Sequence, residues 1–126
     1  MGFTFAHNCL FVSNLERSLA FYKEALGLEP VRWMRPADMD IQLVFLSDGE
    51  SKHQLELGCP AEQNGPFNLG DNQFHIAFTA SDMEEAHALH EKMGVICKDS
   101  PLVPVYFIHD PDGYQIEIIP EGDPVE

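Results

Sequence analysis

A chain of 126 residues, 44% hydrophobic and 22% charged, is long enough for one real hydrophobic core, and none of its apolar runs approaches the ~20 residues that span a membrane. A formal net charge of -14 argues against nucleic acid and anionic membrane surfaces as partners and is compatible with cation binding. The opening MGFTFAHNCLF has no basic region and no small-residue cleavage site, and Cys9, Cys59 and Cys97 are odd in number and widely spaced, so reduced thiols in the cytoplasm are expected.

Taken in chain order, His7–Phe11 reads as a short strand leading into Ser13-Asn14-Leu15-Glu16, a Ser-x-x-Glu capping box that opens a helix. Leu15, Leu19, Tyr22 and Leu26 recur at helical spacing, and Gly27 stands where that helix should stop. A strand is expected over Asp40–Leu46, a turn over Ser47–Glu50, and a further strand through Gln54-Leu55-Glu56-Leu57. Cys59–Asp71, with Pro60, Gly65, Pro66 and Gly70, reads as a linker. A strand through His75 then runs to Ser81-Asp82-Met83-Glu84, a second capping box. Met83, Ala86, Leu89 and Met93 outline a second helix closed by Gly94. Val105–His109, the turn Asp110-Pro111-Asp112-Gly113 and Gln115-Ile116-Glu117-Ile118 complete the pattern, and the tail Glu121–Glu126 is expected to fray.

The second half repeats the first. His7 through Glu16 matches His75 through Glu84 at a constant offset of 68, and the strand around Glu56 matches the strand around Glu117. The expected fold class is α+β: two tandem βαβββ modules, about 3–58 and 72–120, joined by linker 59–71 within a single domain covering 1–126. Each module is too small to be comfortably stable alone, so the sheets should pair, either within one chain or between two.

Strand alternation places Leu55 and Leu57 on one face and Glu56 on the other, and sets Ile116 and Ile118 against Glu117 in the same way. Phe74, Ile76 and Phe78 are expected to pack on the helix and leave His75 on the opposite face; His7 has apolar neighbours on both sides. Any one of these four is more often a solvated strand residue than a ligand. Jointly, two His and two Glu at matched positions in a repeat point to a divalent metal site. Imidazole and carboxylate donors suit Ni²⁺, Co²⁺, Zn²⁺, Mn²⁺ or Fe²⁺, and the lack of thiolates disfavours a closed structural zinc site. A substrate with adjacent oxygens could chelate at the positions left open.

The strand with His7, the stretch LERSLAFYKEALGLEPVR (Leu15–Arg32), the central FHIAF with His75 and the ending DPDGYQIEII (Asp110–Ile119) resemble the glyoxalase I (lactoylglutathione lyase) family of the vicinal-oxygen-chelate superfamily. The ending is shared across that superfamily, whereas the order His, Glu, His, Glu is similar to its isomerase and epimerase branch. The resemblance implies paired βαβββ modules, commonly in a homodimer whose metal sites draw on both chains. It implies His7, Glu56, His75 and Glu117 as ligands, and Ni²⁺ or Co²⁺ as the activating ion in short bacterial forms. It implies catalytic roles for Glu117 as the base and Glu56 as its partner, with glutathione as co-substrate and the methylglyoxal hemithioacetal as substrate.

The chain departs from that pattern at three places. Phe11 stands where the family usually has an Arg gripping a glutathione carboxylate, and Pro60 where it usually has an Asn. Ser100–Pro104 replaces a loop often rich in Gly and Lys. Arg32, Arg35 and Lys52 could supply replacement anion contacts; Trp33 and Met34 either line the substrate pocket or pack in the core; Tyr106 and Tyr114 either bond a substrate oxygen or pack. His87 and His90, three apart on the second helix, read as surface residues ahead of a metal pair. Rival readings are an epimerase, an extradiol-type dioxygenase, a thiol transferase, and a metal-free drug-binding module of the bleomycin-resistance kind.

Overall fold

A computed structural model describes residues 1–62, 65–100, 102 and 104–122. The chain divides into two compact units, Met1–Asn68 and Leu69–Glu126. In the first, strand β1 (His7–Phe11) leads to helix α1 (Leu15–Leu26) and then to β2 (Glu29–Met34), β3 (Ile41–Ser47) and β4 (Gln54–Pro60). In the second, β5 (His75–Ala80) leads to α2 (Met83–Met93), β6 (Ile96–Asp99), β7 (Tyr106–His109) and β8 (Gln115–Pro120). Each unit is therefore one βαβββ module, and the α+β class expected from the sequence is the one observed. Two strands that the sequence pattern did not single out, β2 and β6, form the edges.

The sheets have the same order, β1-β4-β3-β2 and β5-β8-β7-β6. The first strand of each lies parallel to the last, and the remaining neighbours are antiparallel. A parallel partner requires a crossover, and in each unit that crossover contains the helix, which covers one face of the sheet. In the first unit the covered side buries Leu10, Val44, Leu46, Leu55 and Leu57 with Phe21, Tyr22 and Ala25 of α1. In the second it buries Tyr106, Ile108, Ile116 and Ile118 with His90 of α2. Tyr22 and His90 occupy the same place in the repeat, 68 apart.

Both helices begin one residue later than a Ser cap requires. Asn14 Oδ1 accepts from the Arg17 amide and Asp82 Oδ1 from the Glu85 amide, each at 3.0 Å, so Asn14 and Asp82, not Ser13 and Ser81, are the N-caps. The reason is positional: with Leu15 and Met83 as first helical residues, the short Asn and Asp side chains sit where they reach the third amide of the helix. Ser13 instead accepts from the Arg17 guanidinium at 3.0 Å. Gly27 and Gly94 terminate the helices in the left-handed region, at φ 69° and 72°, as the sequence indicates.

The β7–β8 turn is organised by Asp110, which is 1% exposed and whose Oδ1 accepts from the amides of Asp112 and Tyr114, both at 2.9 Å. Gly113, at φ 94°, supplies the backbone conformation that returns the chain into β8 and so sets the register carrying Glu117. Phe74 does not pack on α2: it precedes β5 and is 58% exposed, while Ile76 and Phe78 are half-buried. The end of the tail, 123–126, the linker residues Gln63 and Asn64, and Pro101 and Val103 lie outside the described residues. No described helix is long and apolar enough to cross a membrane.

Candidate metal centre

The sheet face away from the helix carries the polar residues. In the first unit β1 and β4 run in register with Cys9 opposite Glu56 and Phe11 opposite Gly58, so alternation puts His7, Cys9, Phe11 and Glu56 on one side. His7 Nε2 lies 3.1 Å from Glu56 Oε1, with the imidazole 44% and the carboxylate 11% exposed. The second unit builds the same pair. His75 Nε2 lies 3.4 Å from Glu117 Oε1, with side chains 43% and 23% exposed.

The pairs share their surroundings as well. Phe45 is opposite Glu56 on β3, and its ring meets the His7 imidazole edge-on at 5.2 Å and 85°. Phe107 is opposite Glu117 on β7 and meets the His75 imidazole at 5.3 Å and 81°. On the edge strands Arg32 stands 5.2 Å from the Phe45 ring and Lys98 5.2 Å from the Phe107 ring. Each unit thus presents His, Glu, Phe and a cation in one order. Phe45, Phe107 and Lys98 escaped the sequence reading because their placement depends on strand register, which residue spacing alone does not give.

These pairs fit a divalent ion. Imidazole and carboxylate donors bind such ions at about 2.0–2.2 Å, and two ligands at right angles at that distance stand roughly 3 Å apart. The two Nε2–Oε1 separations, 3.1 and 3.4 Å, are close to that span. Each unit offers two donors of this kind, and no group of three or more His, Cys, Asp or Glu suited to a metal occurs among the described residues. Cys9 shares the face with Glu56 and stays a neutral thiol: burial first, then the charge and hydrogen bond of Glu56, push it up to about 12.

The remaining candidates divide between the two faces. Phe11 is on the open face and 44% exposed, lying over Gly58, with Phe67 6.2 Å away. Arg32 is on that face through its pairing with Phe45, and Arg35 donates to Gln42 at 3.4 Å. Trp33 pairs with Val44 on the helix side and is 53% exposed, away from Glu56. Tyr106 also belongs to the helix side. It is 3% exposed, and its hydroxyl lies 2.7 Å from the buried His90 Nδ1. Its role there is packing, because a strand residue adjacent to Phe107 must face the other way. His90 is accordingly a core residue, which corrects its reading as a surface histidine, and His87 pairs with Asp99 at 2.6 Å. A cleft of about 370 Å³ lies beside these groups, lined by Met83, His87, Glu91 and Tyr106, and is remote from the face bearing His75 and Glu117.

Residues 4–118 match the family model of the Glyoxalase/Bleomycin resistance protein/Dioxygenase superfamily. The chain is 31% identical over 120 residues to a lactoylglutathione lyase of Neisseria meningitidis, covering 90% of this chain and 87% of that protein. It is 28% identical over 127 residues to the lactoylglutathione lyase of Salmonella typhimurium, covering 93% and 92%. Among solved structures, the trypanothione-dependent glyoxalase I of Leishmania major superposes with a TM-score of 0.82 at 30% identity, covering 95% of this chain and 88% of that one. Glyoxalase I from Zea mays shares the fold at a TM-score of 0.80 and 23% identity, covering 94% of this chain and 45% of that one. The chain belongs to the Glyoxalase/Bleomycin resistance protein/Dioxygenase superfamily and, within it, to the lactoylglutathione lyase (glyoxalase I) family.

Proposed function

We propose that the chain is a metal-dependent glyoxalase I, an isomerase that converts the hemithioacetal of methylglyoxal and glutathione into the 2-hydroxy thioester lactoylglutathione. The observation that carries this reading is the repetition of one His–carboxylate pair at equivalent places in two units, in a chain whose relatives carry that activity by name.

His7, Glu56, His75 and Glu117 would hold the ion, Ni²⁺ or Co²⁺ by preference. Each unit supplies two of these donors, so a four-donor centre needs one pair of each kind. A homodimer that sets the first-unit pair of one copy beside the second-unit pair of the other provides it. A divalent ion held there would supply Lewis acidity that stabilises negative charge developing on the substrate. Glu117, the more exposed of the two carboxylates, takes the proton from the carbon bearing sulfur and oxygen and returns it to the adjacent carbon. Glu56, buried against Phe45 and bonded by Cys9, stays in place as the partner carboxylate. Hydrogen and electrons move only within the substrate, so no oxidant is consumed.

Phe11 and Pro60 present apolar surface where a thiol's carboxylates would otherwise be gripped, and Arg32 is the cation on the same face. We assign Arg32 that contact. Three unpaired cysteines accord with a reducing cytoplasm. The test compares metal content and thioester formation for the wild type, His7→Ala, His75→Ala and Glu117→Gln, with glutathione and with other thiols. Loss of bound metal in both His variants, and turnover at least a hundredfold lower in Glu117→Gln, are expected. Turnover with another thiol but not with glutathione would keep the isomerase and reject the co-substrate.

A further inference from the structure

A metal-binding imidazole normally has its plane fixed by a hydrogen bond from the second ring nitrogen to a carboxylate or carbonyl. Among the described residues neither His7 nor His75 has such a partner: the contacts of each are its Glu and its Phe. The edge-on aromatic contact is what remains to orient the ring, and it is made twice. The two geometries agree within 0.1 Å and 4° (5.2 Å and 85°, 5.3 Å and 81°) although the rings come from different strands of different units. Register explains the match. Phe45 is the neighbour of Glu56 and Phe107 the neighbour of Glu117, so each ring stands beside both members of its pair. The cations Arg32 and Lys98, 5.2 Å from the respective centroids, hold the rings in turn.

We propose that Phe45 and Phe107 are positioning residues that set the imidazole planes of His7 and His75, with Arg32 and Lys98 bracing the rings. The proposal rests on the metal-centre reading above. It extends that reading by replacing the usual polar orienting contact with an aromatic one. The consequence is a ligand set whose geometry depends on ring packing.

The test uses Phe45→Leu and Phe107→Leu, which stay apolar but lack a ring. In the metal-free chain, the carbon-bound imidazole protons of His7 should shift in Phe45→Leu and those of His75 in Phe107→Leu, because each loses the ring current of its neighbour. Co²⁺ affinity, measured by chelator competition, should fall about two- to tenfold for each substitution, the worth of one aromatic pair, and the visible Co²⁺ absorption should change. Phe107→Tyr, which keeps the ring, should restore both. Wild-type Co²⁺ affinity and spectrum in the Leu variants, even with a lowered unfolding temperature, would overturn the proposal and leave the rings as packing only. If Phe45→Leu does not fold, Phe107→Leu decides the matter alone. A wild-type chain that binds no Co²⁺ would instead reject the metal centre itself, whereas unmoved imidazole resonances would reject the orienting contact whatever the metal does.

Discussion

Replacing Gly58 by Ala should destabilise the first unit, and removing the Phe11 ring should reverse the sign. A Cβ built at Gly58 meets Phe11 Cδ1 and Cε1 at 3.0 Å and Ile41 Cδ1 at 3.3 Å, so the ring lies on the backbone of β4 and has no space for a methyl group. Overpacking of this kind costs about 1–3 kcal/mol. Gly58 has no positive φ, so Ala is free of backbone strain and recovers roughly 0.5–1 kcal/mol through reduced unfolded-state entropy. Because Phe11 is 44% exposed and can swing outward, the net cost belongs at the low end, about 1 kcal/mol. Phe11→Ala costs its own packing, but in that background Gly58→Ala should be neutral or stabilising by about 0.5 kcal/mol. Urea unfolding of the two single variants and the double variant gives a coupling of about 1–2 kcal/mol. Additive effects would refute the placement of Phe11 over Gly58, and with it the apolar surface assigned to that part of the open face.

Four other outcomes follow from the same geometry. Asp110→Ala strips the acceptor from two amides of the β7–β8 turn and should cost about 2–3 kcal/mol in chemical denaturation, whereas Asp110→Asn should recover part of it. Tyr106→Phe leaves a buried His90 nitrogen without its partner and should cost about 1–2 kcal/mol of stability; since Tyr106 faces the helix side, kcat/KM should stay within about twofold of wild type. Asp48 accepts from the amides of Glu50 and Ser51, which hold its carboxyl below its ordinary 3.8. Its contribution is therefore complete above pH 3.8 and is lost as pH falls through the depressed value; being exposed it amounts to less than about 1 kcal/mol, and Asp48→Asn should flatten that part of an acid-unfolding curve. Arg32→Gln should raise KM for the thiol substrate by more than it lowers kcat, and a fall in kcat with KM unchanged would reject it as a binding contact.

The repeat made most of the architecture legible. A shared offset of 68 identifies His7 with His75, and Leu–Glu–Leu alternation sets Glu56 opposite the buried leucines. Helix ends were legible to within one residue, because Ser, Asn and Asp are all good caps and the sequence offers two in a row at both starts. What could not be read were the neighbours across strands. Phe45 and Phe107 are 11 and 10 residues from the Glu they adjoin, with a turn between, so only the pairing of β3 with β4 and of β7 with β8 brings them beside the His–Glu pairs. Tyr106 was readable in principle from alternation with Phe107. The burial of His90 was readable as well, since the offset of 68 sets it where Tyr22 stands on α1; only its bond to the Tyr106 hydroxyl required the helix–sheet contact.

Metal add-back decides whether the chain is a metal-dependent isomerase. The purified chain is stripped by chelator, loaded separately with Ni²⁺, Co²⁺ and Zn²⁺, and supplied with methylglyoxal and glutathione while thioester formation is followed. Turnover that is absent from the stripped chain and returns with Ni²⁺ or Co²⁺ is the predicted result. Ion demonstrably bound to the folded chain, with no thioester formed under any loading, would contradict it.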